Sequence, residues 1–210
     1  MEMPIFQPNA RILFQGDSIT DGNRGQGEDP NHILGHGYAF LIAAKFGAMM
    51  PERNLTFLNR GISGNKVSDL AARWEKDTLD LKPDVLSLLI GVNDASVNVP
   101  QAEYEADLDH LMRRTLKANP STRLVLCEPF TLPGAHHHDD WDRWRANLEG
   151  RQDAVARLAA QYGAILVRFQ SAFDAAALRG PASHWIWDTV HPTYSGHQIM
   201  ADGWIRAVEA

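Results

Sequence analysis

Short apolar runs recur along the chain and alternate with longer amphipathic segments. The runs are rich in Leu, Ile, Val and Phe and most stop at a turn-forming residue, a pattern typical of buried strands. Five strands are predicted, over residues 11–15, 55–58, 84–90, 123–127 and 164–169. The segments between them carry apolar side chains three and four positions apart, which predicts helices. These helices are predicted over residues 37–50, 67–79, 100–118, 144–162, 172–178 and 195–208.

The alternation of strands and helices predicts the class of fold. Strand–helix–strand units are right-handed and place their strands in parallel, with helices on both faces of the sheet. The chain has 210 residues, with no internal repeat, low-complexity tract or linker. We therefore expect one α/β domain over residues 1–210. Functional sites in such sheets lie at the carboxyl ends of the strands.

Composition and charge narrow the range of partners. The formal net charge is −6 and no block of Lys and Arg is present, which argues against a nucleic-acid surface. Residues 1–10 lack the apolar core of a signal peptide, and no apolar run is long enough for a membrane span. We therefore expect a cytoplasmic protein with no membrane partner. Because Cys127 is the one cysteine in the sequence, it cannot form an intrachain disulfide.

A candidate nucleophile follows the first predicted strand. The apolar run stops abruptly at Gly16-Asp17-Ser18. Gly permits a tight turn, and Asp and Ser are both good residues for the start of a helix. Ser18 would then lie at a strand-to-helix corner beside free backbone N–H groups, which suits a nucleophile whose attack creates an oxyanion. The plain alternative is a helix cap without chemistry.

A candidate base for Ser18 lies near the other end of the chain. Asp188 and His191 are three residues apart in a predicted loop. In that spacing the carboxylate can hold one imidazole nitrogen, which leaves the other nitrogen free to take the proton of Ser18. The alternative is a loop salt bridge or a helix-end contact.

Two further residues are candidates for stabilising an oxyanion. Gly64 offers a backbone N–H that a substrate can approach closely because no side chain intervenes. Asn93 follows the predicted third strand and offers a side-chain amide. With the backbone N–H of Ser18 they would form an oxyanion hole. The alternatives are a turn glycine and a cap.

These residues belong to four blocks that occur in the usual order of a known family. The chain resembles the SGNH (GDSL) hydrolases at Gly16-Asp17-Ser18, Gly61-Ile62-Ser63-Gly64-Asn65, Gly91-Val92-Asn93-Asp94 and Asp188-Thr189-Val190-His191. The resemblance implies that Ser18 is the nucleophile, that His191 is its base and that Asp188 is the partner of His191. It also implies that Gly64 and Asn93 complete the oxyanion hole, and that the fold is a flavodoxin-like three-layer α/β/α sandwich around the predicted five-stranded parallel sheet. No cofactor or metal is expected.

Finer features indicate the substrate. The stretch from Gly64 to Glu75 and Trp187 before Asp188 resemble the carbohydrate acetyl-esterases of this superfamily, above all acetylxylan esterases. The loops of the expected site are polar or aromatic, which favours a small acyl group on an oligosaccharide or other small ester over a long chain. Substrate contacts are expected at Asp17, Asn65, Trp185 and Trp187, although packing is the alternative for each tryptophan.

Other interpretations stay open. A thioesterase or lysophospholipase of the same superfamily is the alternative enzyme, and a non-catalytic carbohydrate-binding module is the alternative outside enzymes. The run His136-His137-His138-Asp139-Asp140 favours a solvated loop over a metal site, because adjacent side chains of an extended segment point apart. The tryptophans and methionines would be consistent with self-association, and we expect a homo-oligomer.

Overall fold

A parallel sheet forms the centre of the molecule, whose computed structural model describes residues 5–25, 27, 29–133 and 140–210. Five strands pair in the order β2-β1-β3-β4-β5. The strands are β1 (Arg11–Gly16), β2 (Thr56–Asn59), β3 (Val85–Leu89), β4 (Arg123–Cys127) and β5 (Ile165–Val167). Every pair of neighbouring strands is parallel, so the connections between them must cross the faces of the sheet.

Helices supply most of these crossings. They are α1 (Ser18–Asp21), α2 (Tyr38–Met49), α3 (Val67–Trp74), α4 (Val92–Ser96), α5 (Gln101–Ala118), α6 (Trp141–Tyr162), α7 (Phe169–Ala177), α8 (Ala182–Trp185) and α9 (Tyr194–Glu209). A 3-10 turn at Pro51–Arg53 follows α2, and a π-helical turn at Glu75–Leu79 follows α3. Within the described residues, we find no helix that is both long and apolar enough to cross a membrane.

Successive strand residues pack on opposite layers of helices, as the pleat of a strand requires. In β1, Ile12 and Phe14 pack with side chains of α2, α7 and α9. Leu13, between them, packs with side chains of α3, α5 and α6. The predicted three-layer α/β/α architecture with a parallel sheet is therefore confirmed.

Some predicted boundaries are wrong. The last strand was expected to run to residue 169, but it ends at Val167, and Phe169 begins α7. The helix predicted from residue 144 begins at Trp141, because the side chain of Asp140 caps it by accepting from the Arg143 N–H. The helix predicted over 67–79 is regular only to Trp74.

The register of the sheet places the functional loops side by side. Gly16 at the end of β1 lies opposite Leu89 at the end of β3. On the other side of β1, Phe14 lies opposite Asn59 at the end of β2. The turns after these three neighbouring strands therefore meet at one edge of the sheet.

Candidate active site

The turn after β1 places Ser18 at the start of α1. A side chain at position 16 would lie 2.2 Å from the carbonyl oxygen of Leu89, so only glycine allows β1 to end this close to β3. Asp17 caps α1 because its Oδ1 accepts from the Ile19 N–H at 3.0 Å. Ser18 is the first residue of α1, where a backbone N–H has no partner within the helix.

Ser18, His191 and Asp188 form a continuous hydrogen-bonded chain. The Ser18 Oγ lies 2.8 Å from His191 Nε2, and Asp188 Oδ2 lies 2.6 Å from His191 Nδ1. Since a carboxylate only accepts, the ring proton belongs on Nδ1, which leaves Nε2 to accept from the Ser18 hydroxyl. Asp188 Oδ1 also accepts from the backbone N–H groups of Val190 and His191, both at 2.8 Å. One carboxylate thus fixes both the loop and the imidazole.

The electrostatics of this pair suit a base that becomes an imidazolium. Partial burial raises the pKa of Asp188, but the hydrogen bonds from the His191 ring and the two backbone N–H groups outweigh it and lower the pKa to about 2. The hydrogen bond to Asp188 in turn raises the pKa of His191, against the opposing effect of burial. Asp188 therefore stays ionised and stabilises a proton on His191.

The loop of residues 61–65 is fastened beside Ser18. The Ile62 N–H donates to the Gly16 carbonyl at 3.1 Å, and the Ser63 N–H donates to Asp21 Oδ2 at 3.0 Å. Gly64 has a φ of 82°, a left-handed conformation that favours glycine, and open space where a side chain would begin. Its backbone is therefore accessible beside the serine.

Asn93 joins this loop from the other side. It lies in α4, directly after the turn that follows β3. Its Nδ2 donates to the backbone carbonyl of Asn65 at 3.0 Å, which uses one of the two amide hydrogens and leaves the second for another acceptor. The structure thus brings the predicted residues Ser18, Gly64 and Asn93 to one edge of the sheet.

A cavity of about 290 Å³ opens at Ser18 and His191. Its wall includes Asn23, His36, Trp187 and His197. Trp187 is 55% exposed, and the centre of its ring lies 6.3 Å from that of His191. This tryptophan therefore presents an aromatic face at the mouth of the site.

A larger cavity of about 370 Å³ lies elsewhere, between α5 and the π-helical turn. It is lined by Glu75, Lys82 and Thr115 among others. This region is at the amino ends of the strands, opposite Ser18, and so it is remote from the chemistry described above.

Three of the expected substrate contacts have other surroundings. Asp17 is only 1% exposed, and its Oδ2 has no hydrogen-bond partner among the described residues. The expectation that Asp17 touches substrate is therefore wrong for this structure. Asn65 Oδ1 accepts from Arg73 Nε at 2.9 Å, which holds the loop of Gly64. Trp185 is partly buried against the apolar core that contains Ile186, so it packs as the alternative interpretation stated.

Sequence reasoning missed two residues of the site. The side chain of Asn59 donates from Nδ2 to the Thr20 carbonyl at 2.6 Å and accepts from the Gly61 N–H at 2.9 Å. It thereby joins the loops of Ser18 and Gly64, and its position as the last residue of β2 was the available signal. His197, in the first turn of α9, lines the cavity although only 7% of its surface is exposed.

The structure supplies no group of three or more metal-ligating side chains within the residues it describes. The run His136-His137-His138 and Asp139 lies outside those residues. Its interpretation as a solvated loop therefore stays a prediction.

Comparisons with known proteins show the family to which the chain belongs. Residues 14–199 match the GDSL-like lipase/acylhydrolase family. An acetylxylan esterase of Geobacillus stearothermophilus is 34% identical, with 94% of this chain and 93% of that protein aligned. The solved structure of the esterase Axe2 from the same organism superposes with a TM-score of 0.88 and 32% identity, covering 98% of this chain and 96% of that one.

Other solved structures agree. The enzyme LAE5, an alpha/beta hydrolase from the Lake Arreo metagenome, superposes with a TM-score of 0.88 and 34% identity, covering 99% of this chain and 98% of that one. Solved forms of Axe2 include two catalytic mutants, in which alanine replaces a serine or an aspartate. The chain, with its parallel α/β sheet and its serine corner, belongs to the GDSL-like lipase/acylhydrolase family, the SGNH hydrolases, and is a carboxylic ester hydrolase.

Proposed function

We propose that this esterase removes acetyl groups from the hydroxyls of carbohydrates, such as oligosaccharides derived from xylan, through an acyl-enzyme on Ser18. The observation that carries the proposal is the chain of hydrogen bonds from the Ser18 Oγ through His191 to Asp188, at 2.8 and 2.6 Å. A serine hydroxyl becomes an effective nucleophile when a neighbouring base accepts its proton. The two catalytic mutants of Axe2 replace the same two types of residue that flank the imidazole here.

The first half of the reaction forms the acyl-enzyme. His191 Nε2 takes the proton of Ser18 as Oγ bonds to the ester carbonyl carbon, and the carbonyl oxygen becomes an oxyanion. The backbone N–H groups of Ser18 and Gly64 and the free amide hydrogen of Asn93 are the donors for that oxygen. The carbon–alkoxide bond then breaks, and His191 gives its proton to the leaving alcohol.

The second half releases the acid. Water gives a proton to His191 Nε2 and attacks the acyl carbon, and the same three donors stabilise the second oxyanion. The bond to Ser18 Oγ breaks, Oγ recovers the proton from His191, and acetic acid leaves. Ionised Asp188 stabilises the imidazolium in both halves.

The surroundings of Ser18 support a sugar as the alcohol half of the ester. The cavity wall carries Asn23, His36 and His197, whose side chains are able to form hydrogen bonds with the hydroxyls of a sugar. The exposed ring of Trp187 offers an apolar face of the kind on which sugar rings stack.

Release of acetate from acetylated xylo-oligosaccharides tests the proposal, together with rates on p-nitrophenyl acetate, butyrate and octanoate. We expect acetate release and the highest rate on the acetate ester. Ser18→Ala lowers kcat by roughly 10³- to 10⁶-fold, whereas Ser121→Ala, a serine remote from the site, leaves kcat unchanged. Preference for octanoate would overturn the acetyl assignment, and near-normal turnover by folded Ser18→Ala would overturn the mechanism.

The remaining expectations concern the whole molecule. We propose that residues 1–210 act as one domain, since α9, close to the carboxyl end, packs on the face of the sheet that α2 also covers. The homo-oligomer and the cytoplasmic location stay predictions.

A further inference from the structure

His197 is held rigidly in the wall of the cavity. It lies in the first turn of α9, and only 7% of its surface is exposed. Its Nδ1 accepts from the backbone N–H of Tyr38 at 3.2 Å. A side chain at Gly37 would come within 3.1 Å of the imidazole Cε1, so the glycine makes room for the ring. The start of α2 thereby fixes both the position and the orientation of His197.

The hydrogen bond to Tyr38 also determines where the ring proton is. Because Nδ1 accepts, the neutral imidazole carries its proton on Nε2. Burial, with smaller contributions from His36 and His191, lowers the pKa of His197 to about 4. Nε2 forms no hydrogen bond with the part of the chain that the structure describes, although the ring lines the cavity beside Ser18. His197 is therefore a neutral donor with a free N–H at the cavity.

The position of the cavity indicates which half of the ester it receives. His191 lines it and is the group that gives a proton to the leaving alcohol. From the loop that carries Gly64, its described wall includes Ser63 but not Gly64 itself, and Asn93 is also absent from that wall. The cavity therefore extends from Ser18 on the side of the leaving alcohol, where Trp187 also lies.

We propose that His197 is a specificity-determining residue whose Nε2–H donates a hydrogen bond to a hydroxyl oxygen of the alcohol half of the substrate. This inference deepens the proposed function and rests on it. It differs from an ordinary buried histidine, whose only role would be the hydrogen bond to Tyr38. A donor fixed in one direction favours an alcohol with an oxygen at the matching position, because an alcohol without one leaves the N–H unpaired.

Two substitutions distinguish the role of Nδ1, which accepts from Tyr38, from the proposed role of Nε2. In His197→Asn, the amide Oδ1 can lie near the place of Nδ1 and accept from Tyr38, but no donor lies near the place of Nε2. In His197→Gln, the amide N–H can lie near the place of Nε2. The control His110→Asn makes the same substitution at an exposed histidine of α5.

The assay is the ratio of kcat/KM on a monoacetylated methyl xyloside to kcat/KM on cyclohexyl acetate, whose six-membered ring has no hydroxyl. We expect His197→Asn to lower this ratio by about three- to tenfold, the usual effect of one neutral hydrogen bond. His197→Gln retains more of the ratio, and His110→Asn leaves it unchanged. An unchanged ratio in folded His197→Asn would overturn the inference.

Monodeoxy analogues of the xyloside ester provide a second measurement, which the wild type alone can give should His197→Asn fail to fold. One analogue is expected to lose about three- to tenfold in wild-type kcat/KM, and to lose nothing further in His197→Asn. If no analogue loses activity, or if the losses in folded His197→Asn are additive, His197 does not bind the alcohol while the proposed function stands. If the wild type hydrolyses no sugar ester, the proposed function and this inference are both refuted.

Discussion

Replacing Asp17 with Asn is expected to change how the stability of the protein depends on pH. The carboxyl of Asp17 is buried directly before the nucleophile, and its Oδ2 lacks a partner among the described residues. Asn retains an Oδ1 that can accept from the Ile19 N–H, so the cap of α1 is preserved. The substitution therefore removes an ionisable group while it keeps the local structure.

The size of the effect follows from the pKa of Asp17. Burial raises this pKa from 3.8 to about 7, and the hydrogen bond from Ile19 opposes the rise only in part. Between those values the unfolded chain has lost the proton and the folded chain retains it, so the free energy of unfolding falls as the pH rises. At about 1.4 kcal/mol per pKa unit, the total loss is about 4 kcal/mol.

Urea unfolding of the wild type and of Asp17→Asn at about pH 5 and about pH 8 measures this effect. The variant lacks the titration, so its stability relative to the wild type should increase by about 3 kcal/mol from the lower to the higher pH. Asp80→Asn, at an exposed aspartate, controls for the loss of one formal charge. A stability difference that is the same at both pH values would refute the reasoning.

Three other substitutions test the site. Asn93→Ala is expected to lower kcat on p-nitrophenyl acetate by about 10²- to 10³-fold; a change below a few-fold would remove Asn93 from the oxyanion hole. Asp188→Ala is expected to lower kcat by about 10⁴-fold. It also moves the acidic limb of the pH–rate profile to lower pH, since the hydrogen bond that raises the pKa of His191 is lost; an unmoved limb would contradict this. Asn59→Leu removes buried hydrogen bonds and is expected to lower the free energy of unfolding in urea by about 2–4 kcal/mol, whereas wild-type stability would contradict the role of Asn59.

The sequence could predict that Ser18, Gly64 and Asn93 lie close together, because the carboxyl ends of parallel strands all lie at the same edge of the sheet. Ser18, the Gly64 loop and Asn93 follow β1, β2 and β3, which are neighbours in the sheet. The pairing of Ser18 with His191 was harder to predict from the sequence, since 173 positions separate them along the chain. It depended on the Asp–x–x–His spacing and on the order of the family blocks.

The remaining differences come from contacts between distant segments. The sequence predicts Phe169 as the end of a strand. In the structure its ring packs edge-on in the layer of α7, with its centre 5.8 Å from the ring centre of Phe130 and 6.1 Å from that of Tyr38. His197 reads as an ordinary polar position of the last helix. Only its hydrogen bond to Tyr38, 159 residues away, reveals the ring as a fixed donor in the cavity.

Two aspartates lie near the Ser18–His191 pair, and their surroundings give them different charges. Asp188 is partly exposed and accepts three hydrogen bonds, so it is ionised throughout the neutral range. Asp17 is enclosed, and burial keeps much of it protonated up to about pH 7. Below that pH only Asp188 carries a full charge beside the imidazole, whereas above it Asp17 adds a second charge that also raises the pKa of His191. Asp17→Asn should therefore lower the pKa of His191, because it removes that second charge although the Asp17 carboxyl itself is buried.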